Sequence, residues 1–182
     1  MKKMMVSLMI LTMLSMALVY SGGNNENEAP VADPADNQVS LGENLGFSWE
    51  FSGDEVIFTV IAPTTGWVSL GFNPSRGMQD ASYVIGYVQD GVVHMREDYG
   101  TGRTSHASDV SLGGTDDVRS ISGTEENGVT TLVFALKQES GDQYDTVLTE
   151  GETYTVLIAY GPNGSNNFTA RHTFRQSLEV QL

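Results

Sequence analysis

From residue 45 onward the chain alternates apolar and polar positions with a period of two, and no stretch keeps a persuasive helical period. "LGFSWEF" (45–51) alternates and stops at the turn-forming "SGD". "EVIFTVIA" (55–62) is a near-continuous β-branched run, the pattern of a central strand. "GWVSLGF" (66–72) follows a "PTT" turn. "ASYVIGYV" (81–88) and "VVHMRED" (92–98) flank "QDG", a hairpin signal with glycine where φ must be positive. "DDVRSISG" (116–123) and "VTTLVFAL" (129–136) flank "TEENG". "ETYTVLIAYG" (152–161), "FTARHTFRQ" (168–176) and "LEVQL" (178–182) close the chain, and residues 137–151 have room for a short turn or 3₁₀ segment. Short strands at near-regular spacing predict an all-β fold, a single antiparallel β-sandwich over residues 44–182.

The front of the chain reads differently. Lys2 and Lys3 precede an apolar stretch from Met4 to about Tyr20, then small residues. That is the order of a signal peptide over residues 1–21, with an export destination in the periplasm, at the cell surface or outside the cell. Left uncleaved, the same stretch would be a marginal membrane anchor. Residues 22–43, "GGNNENEAPVADPADNQVSLGE", are polar, acidic and aperiodic, and predict a flexible tether.

Charge narrows the partners. All 23 acidic residues follow the leader, against seven of the nine basic ones. Nucleic acid and anionic membrane surfaces are therefore poor partners, and a basic protein is a better one. The chain has no cysteine. Disulfides, cysteine–zinc sites, iron–sulfur clusters and covalent C-x-x-C-H haem attachment are all excluded.

No catalytic constellation stands out. There is no G-x-S-x-G elbow, no H-E-x-x-H and no phosphate loop, and the three histidines His94, His106 and His172 are dispersed. "DQYDTVLTEGE" (142–152) and "GTDD" (114–117) offer oxygen ligands for calcium but lack EF-hand spacing, and solvated loops are the plainer reading.

Two side chains remain to be explained. Six of the eight methionines lie at positions 1–16, and Met95 sits in an apolar run. Met78 instead lies in the polar loop "SRGMQDAS" (75–82). A core methionine fills gaps among apolar neighbours, whereas a loop thioether can ligate a soft metal or haem iron. His172, in "ARHTF" (170–174), is the natural partner to test: a lone histidine on an apolar face is more often a satisfied core residue, yet a Met–His pair holds b-type haem without covalent attachment.

The stretch "TVIAPTTGWVSLGFNPSRGMQDASYVIGYV" (59–88) resembles the DOMON domain, most closely its haem-binding branch. "DYG" (98–100), "TLVFAL" (131–136), "GETYTVLIAYG" (151–161) and "ARHTF" follow in the order the family shows, so the likeness spans about residues 45–176. The resemblance implies an immunoglobulin-like β-sandwich carrying non-covalent haem b, similar to the cytochrome domain of cellobiose dehydrogenase. By that likeness Met78 and His172 are the axial ligands of the iron, with His106 in "GRTSHASD" as the competing histidine. Trp67, Tyr83 and Phe174 are candidates to line the haem slot, with Phe72, Tyr87, Tyr160 and Phe168 beside them. Arg76 and Arg171, each near a proposed ligand, are candidates for the propionates. The implied function is one-electron transfer, not catalysis, to a separate redox protein, since no donor domain is fused to the chain. The alternative is a haem-free module for carbohydrate or another small ligand, for which an exposed Trp49 would be the stacking platform. The sequence leaves the oligomeric state open.

Overall fold

A computed structural model describes residues 31–33 and 37–182. In chain order the strands are β1 (Val31–Asp33), β2 (Gln38–Gly42), β3 (Leu45–Ser52), β4 (Glu55–Ala62), β5 (Val68–Phe72), β6 (Ser82–Gln89), β7 (Val92–Gly102) and β8 (Ser105–Ser108). A single helical turn, α1 (Asp109–Leu112), follows. Then come β9 (Arg119–Glu126), β10 (Val129–Lys137), β11 (Thr153–Tyr160) and β12 (Phe174–Gln181). They form two six-stranded sheets, ordered β1-β2-β3-β4-β10-β9 and β12-β11-β5-β6-β7-β8. The paired strands are antiparallel, as the period-two pattern requires. The fold is an antiparallel β-sandwich.

Two hairpins owe their shape to residues that tolerate positive φ. Asp90 and Gly91 turn β6 into β7 at φ +52° and +76°. Asn127 and Gly128 do the same between β9 and β10 at +55° and +81°. Positive φ at both positions gives the turn whose twist matches the flanking strands.

The core lies between the sheets. Strand β4 alternates, with Val56, Phe58, Val60 and Ala62 buried and the residues between them half-buried. Phe58 meets Phe134 of its own sheet at 5.6 Å and Phe72 of the other sheet at 5.4 Å, centroid to centroid. Tilted and offset aromatic contacts of this kind join the two layers.

Several boundaries differ from the sequence expectations. Residues 31–33 and 38–42, expected in the tether, form the edge strand β1 and its neighbour β2, and Val39 is buried. Val39 and Leu41 are the only apolar residues of β2, and a two-residue alternation is too short a signal for a strand. β8 and α1 were not expected, being short and half-exposed. The last two expected strands are one strand, β12, and residues 168–173 lie outside it. Trp49 is 4% exposed and packs 5.9 Å from Phe47, so it offers no stacking platform for a sugar. The leader lies outside the described residues. Among the described residues no helix is long and apolar enough to cross a membrane.

Candidate functional site

The second sheet has two faces. Val68, Leu70 and Phe72 of β5 and Val84 and Val88 of β6 belong to the core. Alternation therefore turns Ser69 and Gly71, and Tyr83, Ile85 and Tyr87, to the outer face. Register places Tyr83 beside Gly71 and Asp98, Ile85 beside Ser69 and Arg96, and Tyr87 beside His94. Gly71 is required here, because a Cβ would stand 2.3 Å from the Tyr83 ring. The strip Tyr83–Ile85–Tyr87 is about 13 Å long at the usual rise per residue.

Met78 sits at the Tyr83 end. Its N–H donates to the Arg103 carbonyl at 3.2 Å, and its carbonyl accepts from the Ala81 N–H (3.3 Å) and the Tyr83 hydroxyl (3.1 Å). The Asp80 N–H donates to the Gly100 carbonyl and the Gly100 N–H to the Ala81 carbonyl, both at 2.8 Å. A Cβ on Gly100 would lie 1.7 Å from the Met78 carbonyl oxygen. "DYG" thus has a physical reason: only glycine lets the Met78 loop lie flat on β7. The loop is held by these backbone bonds, and Met78 is half-buried.

The opposite end is closed by residues 162–173. Trp67 is 5% exposed and its indole N–H donates to the Ala170 carbonyl at 3.1 Å. Phe168 packs 5.1 Å from Tyr87, with the Arg96 guanidinium 4.5 Å above its ring. Tyr87 in turn stacks on His94 at 4.9 Å. Ile85 and Ser69 point outward yet are only 4% and 8% exposed. His172 is half-buried in the segment 162–173. Burial first, then the positive charges of Arg175 and Arg171, push its imidazole below the usual range. The neutral imidazole is the form that binds metal.

The structure divides the sequence-based candidates. Trp67, Tyr83, Tyr87 and Phe168 gather on or beside the outer face. Phe72 is buried in the core, and Phe174 stacks on Tyr160 at 5.3 Å against the core side. Arg76 and Arg171 are both exposed, near Met78 and His172 respectively. His106 lies 6.2 Å from the Tyr83 ring, and its Nδ1 is bound to Asp98, which also pairs with Arg96 at 2.7 Å. A carboxylate on one imidazole nitrogen orients the other, as at many metal-bound histidines. This Arg96–Asp98–His106 triad was missed in the sequence. The available signal was the alternation of β7, with His94, Arg96 and Asp98 on one face and Val93, Met95 and Glu97 on the other.

Among known proteins, the DOMON domain model matches residues 41–161. That span includes Met78 and stops short of His172. The chain is 27% identical over 135 residues to mouse DBH-like monooxygenase protein 2, covering 74% of this chain and 21% of that protein. It is 25% identical over 134 residues to MOXD1 homolog 2 of Drosophila melanogaster, covering 71% and 17%. The chain therefore spans about a fifth of the curated relatives it matches. In fold it is similar to the cytochrome b domain of pyranose dehydrogenase from Coprinopsis cinerea, with a TM-score of 0.53, 14% identity and coverage of 82% and 79%. It is also similar to the cytochrome domain of Myriococcum thermophilum cellobiose dehydrogenase, with a TM-score of 0.55, 11% identity and coverage of 85% and 88%.

Proposed function

The chain belongs to the DOMON family, and from that premise we propose that it is an exported b-type haem protein that carries one electron. The single observation that carries this reading is the outer face of the second sheet. A strip of aromatic and aliphatic side chains has the segment 162–173, with its histidine, packed at the Tyr87 end and a backbone-anchored methionine at the Tyr83 end. These residues fit a flat apolar macrocycle held by ligation alone. Gly71 and Gly100 keep the floor and the Met78 loop close to the sheet. Met78 and His172 would be the axial ligands, and the exposed Arg76 and Arg171 would face the propionates. The solved proteins of similar fold are described as cytochrome b and cytochrome domains.

Haem held this way supplies a reversible one-electron couple, and a methionine ligand raises its potential. Were Met78 and His172 both to hold the iron, the chain would leave no open position on it for substrate or oxygen, which favours electron transfer over oxygen chemistry. The partner is then a separate redox protein. The excess of 23 acidic over nine basic residues in the chain favours a basic docking surface, with association slowed by salt.

The test is the absorption spectrum of the full chain loaded with haem, oxidised and then reduced. Wild type is expected to show a six-coordinate low-spin spectrum with resolved α and β bands after reduction. Met78→Ala and His172→Ala should each lose it, while His106→Ala and the core-side control Met95→Leu keep it. An unchanged spectrum in Met78→Ala sinks the assignment. Loss in His106→Ala with retention in His172→Ala would move the second ligand to His106.

A further inference from the structure

The two sheets have four edge strands, and three of them are blunted. β1 is three residues long and β8 four. β9 has eight residues, but its register against β10 shifts between Val133 and Phe134, a bulge that leaves Ile121 unpaired. Short strands and bulges keep a sheet edge from templating another strand. The fourth edge, β12, has neither device. Its eight residues pair with β11 in unbroken register from Phe174 to Gln181 and include no proline. Among the described residues no strand pairs with its other side.

The phase of the β11–β12 hydrogen bonds decides which groups face out. The Leu182 N–H donates to the Glu152 carbonyl at 3.0 Å. Alternation then turns the backbone groups of Gln176, Leu178 and Val180 to β11, and those of Arg175, Ser177 and Glu179 to the open edge. The side chains divide in the same way. Val180 is buried on the core side, with Phe174 and Leu178 half-buried beside it. Arg175, Ser177 and Glu179 are exposed on the outer side.

This pattern is complementary to itself. An antiparallel copy centred on Ser177 sets Ser177 across from the partner's Ser177, and Arg175 across from the partner's Glu179. By symmetry Glu179 then faces the partner's Arg175. All three are pairs that exchange both backbone hydrogen bonds, since their N–H and C=O groups are the ones that face out. On the core side, Phe174 meets the partner's Val180. Among the described residues Arg175 makes no ion pair. The chain's net charge of −14 opposes self-association in general. β12 itself carries one cation and one anion, so its edge does not repel a copy of itself.

We propose that β12 is a homodimer interface, through which two copies of this chain join edge to edge into one twelve-stranded sheet. Antiparallel joining turns the same face of each sheet to the same side, so both outer faces, with Tyr83 and Tyr87, share one surface of the dimer. The pairing does not depend on the haem reading, and its test uses haem-free protein.

The experiment is sedimentation equilibrium of the full chain and its edge variants. A concentration-dependent dimer in the micromolar range is expected, as suits a small interface built on one strand pair. Arg175→Glu and Glu179→Arg each set like charges against one another twice per dimer, and should each weaken association at least about tenfold. An equimolar mixture of the two variants should dimerise again, because every cross-strand pair then joins opposite signs. Cross-linking reads the register. The chain has no cysteine, and hydrogen-bonded antiparallel pairs hold their Cα atoms about 5.5 Å apart, within disulfide reach. Ser177→Cys should therefore give a covalent dimer in oxidised glutathione. Gln181→Cys should not, since position 181 lies about 27 Å from its counterpart. Should a charge variant fail to fold, the two cysteine variants decide the matter. A chain that stays monomeric into the high micromolar range would overturn the proposal. A dimer that both charge reversals leave intact, or one in which Ser177→Cys does not cross-link, would overturn it equally.

Discussion

The two faces of the second sheet share a backbone and differ in purpose. The inner face carries Leu70, Phe72, Val84, Val156 and Ile158, each at most 2% exposed and packed against a second complete sheet. The outer face carries Tyr83 and Tyr87 with Ile85 between them; Phe168 of the segment 162–173 packs on Tyr87, and the Met78 loop flanks Tyr83. The inner residues need only be apolar and of suitable volume. The outer ones combine an apolar body with a polar tip or a potential metal ligand. The inner face is built for stability, and the outer face is where we propose that haem binds.

The largest expected effect comes from breaking the inner face. Phe58→Ala removes the ring that joins the sheets, and should cost about 3–5 kcal/mol. Calorimetry should show Tm lower by more than about 10 °C. Haem, if bound, should then be lost only together with the fold.

A subtler pair separates the faces by glycine. Gly100→Ala drives a methyl into the Met78 carbonyl and should cost about 2–3 kcal/mol, while shifting the Soret band of the haem-loaded protein. Gly53→Ala, in the β3–β4 turn at φ +65° with open space around it, should cost about 1–2 kcal/mol for the left-handed conformation and leave the spectrum alone. Equal spectral effects would mean that the Met78 loop is not special.

The smallest expected effect belongs to pH. Burial, reinforced by Asp145 and Asp116, raises Glu97 to about 8, and burial with Asp145, Asp142 and Asp98 raises Asp109 to about 7. Unfolded, both ionise near the ordinary carboxyl range. The folded chain thus holds more protons between about pH 4 and 8, and its stability falls as pH rises through that window. Tm should be lower at pH 8 than at pH 5 by at least about 5 °C, and Asp109→Asn should flatten the part below pH 7. A Tm that rises across the window would show that these carboxyls ionise freely in the fold.

Much of this was legible in the sequence, for a physical reason. Period-two alternation and turn residues are local, so the strands from residue 45 to 62, the "QDG" hairpin and the sandwich class could be read one segment at a time. Met78 was visible too, as a thioether among polar neighbours that packing did not explain. His172 was read within an alternating strand, and the structure instead puts it in the segment 162–173, outside any strand. Phe72 and Phe174 looked equivalent to Tyr83 by composition, but side-chain direction depends on strand start and register, which composition does not carry.

What the sequence by itself determined is the set of local preferences: which stretches extend, where the chain turns, which residues are chemically unusual. What only the tertiary structure decided is which residues meet across long separations. Gly100 beneath Met78, Phe168 over Tyr87 and the Arg96–Asp98–His106 triad all join distinct elements of the fold. Their partners are chosen by sheet order and register, and those minimise the free energy of the whole core, not of any one segment.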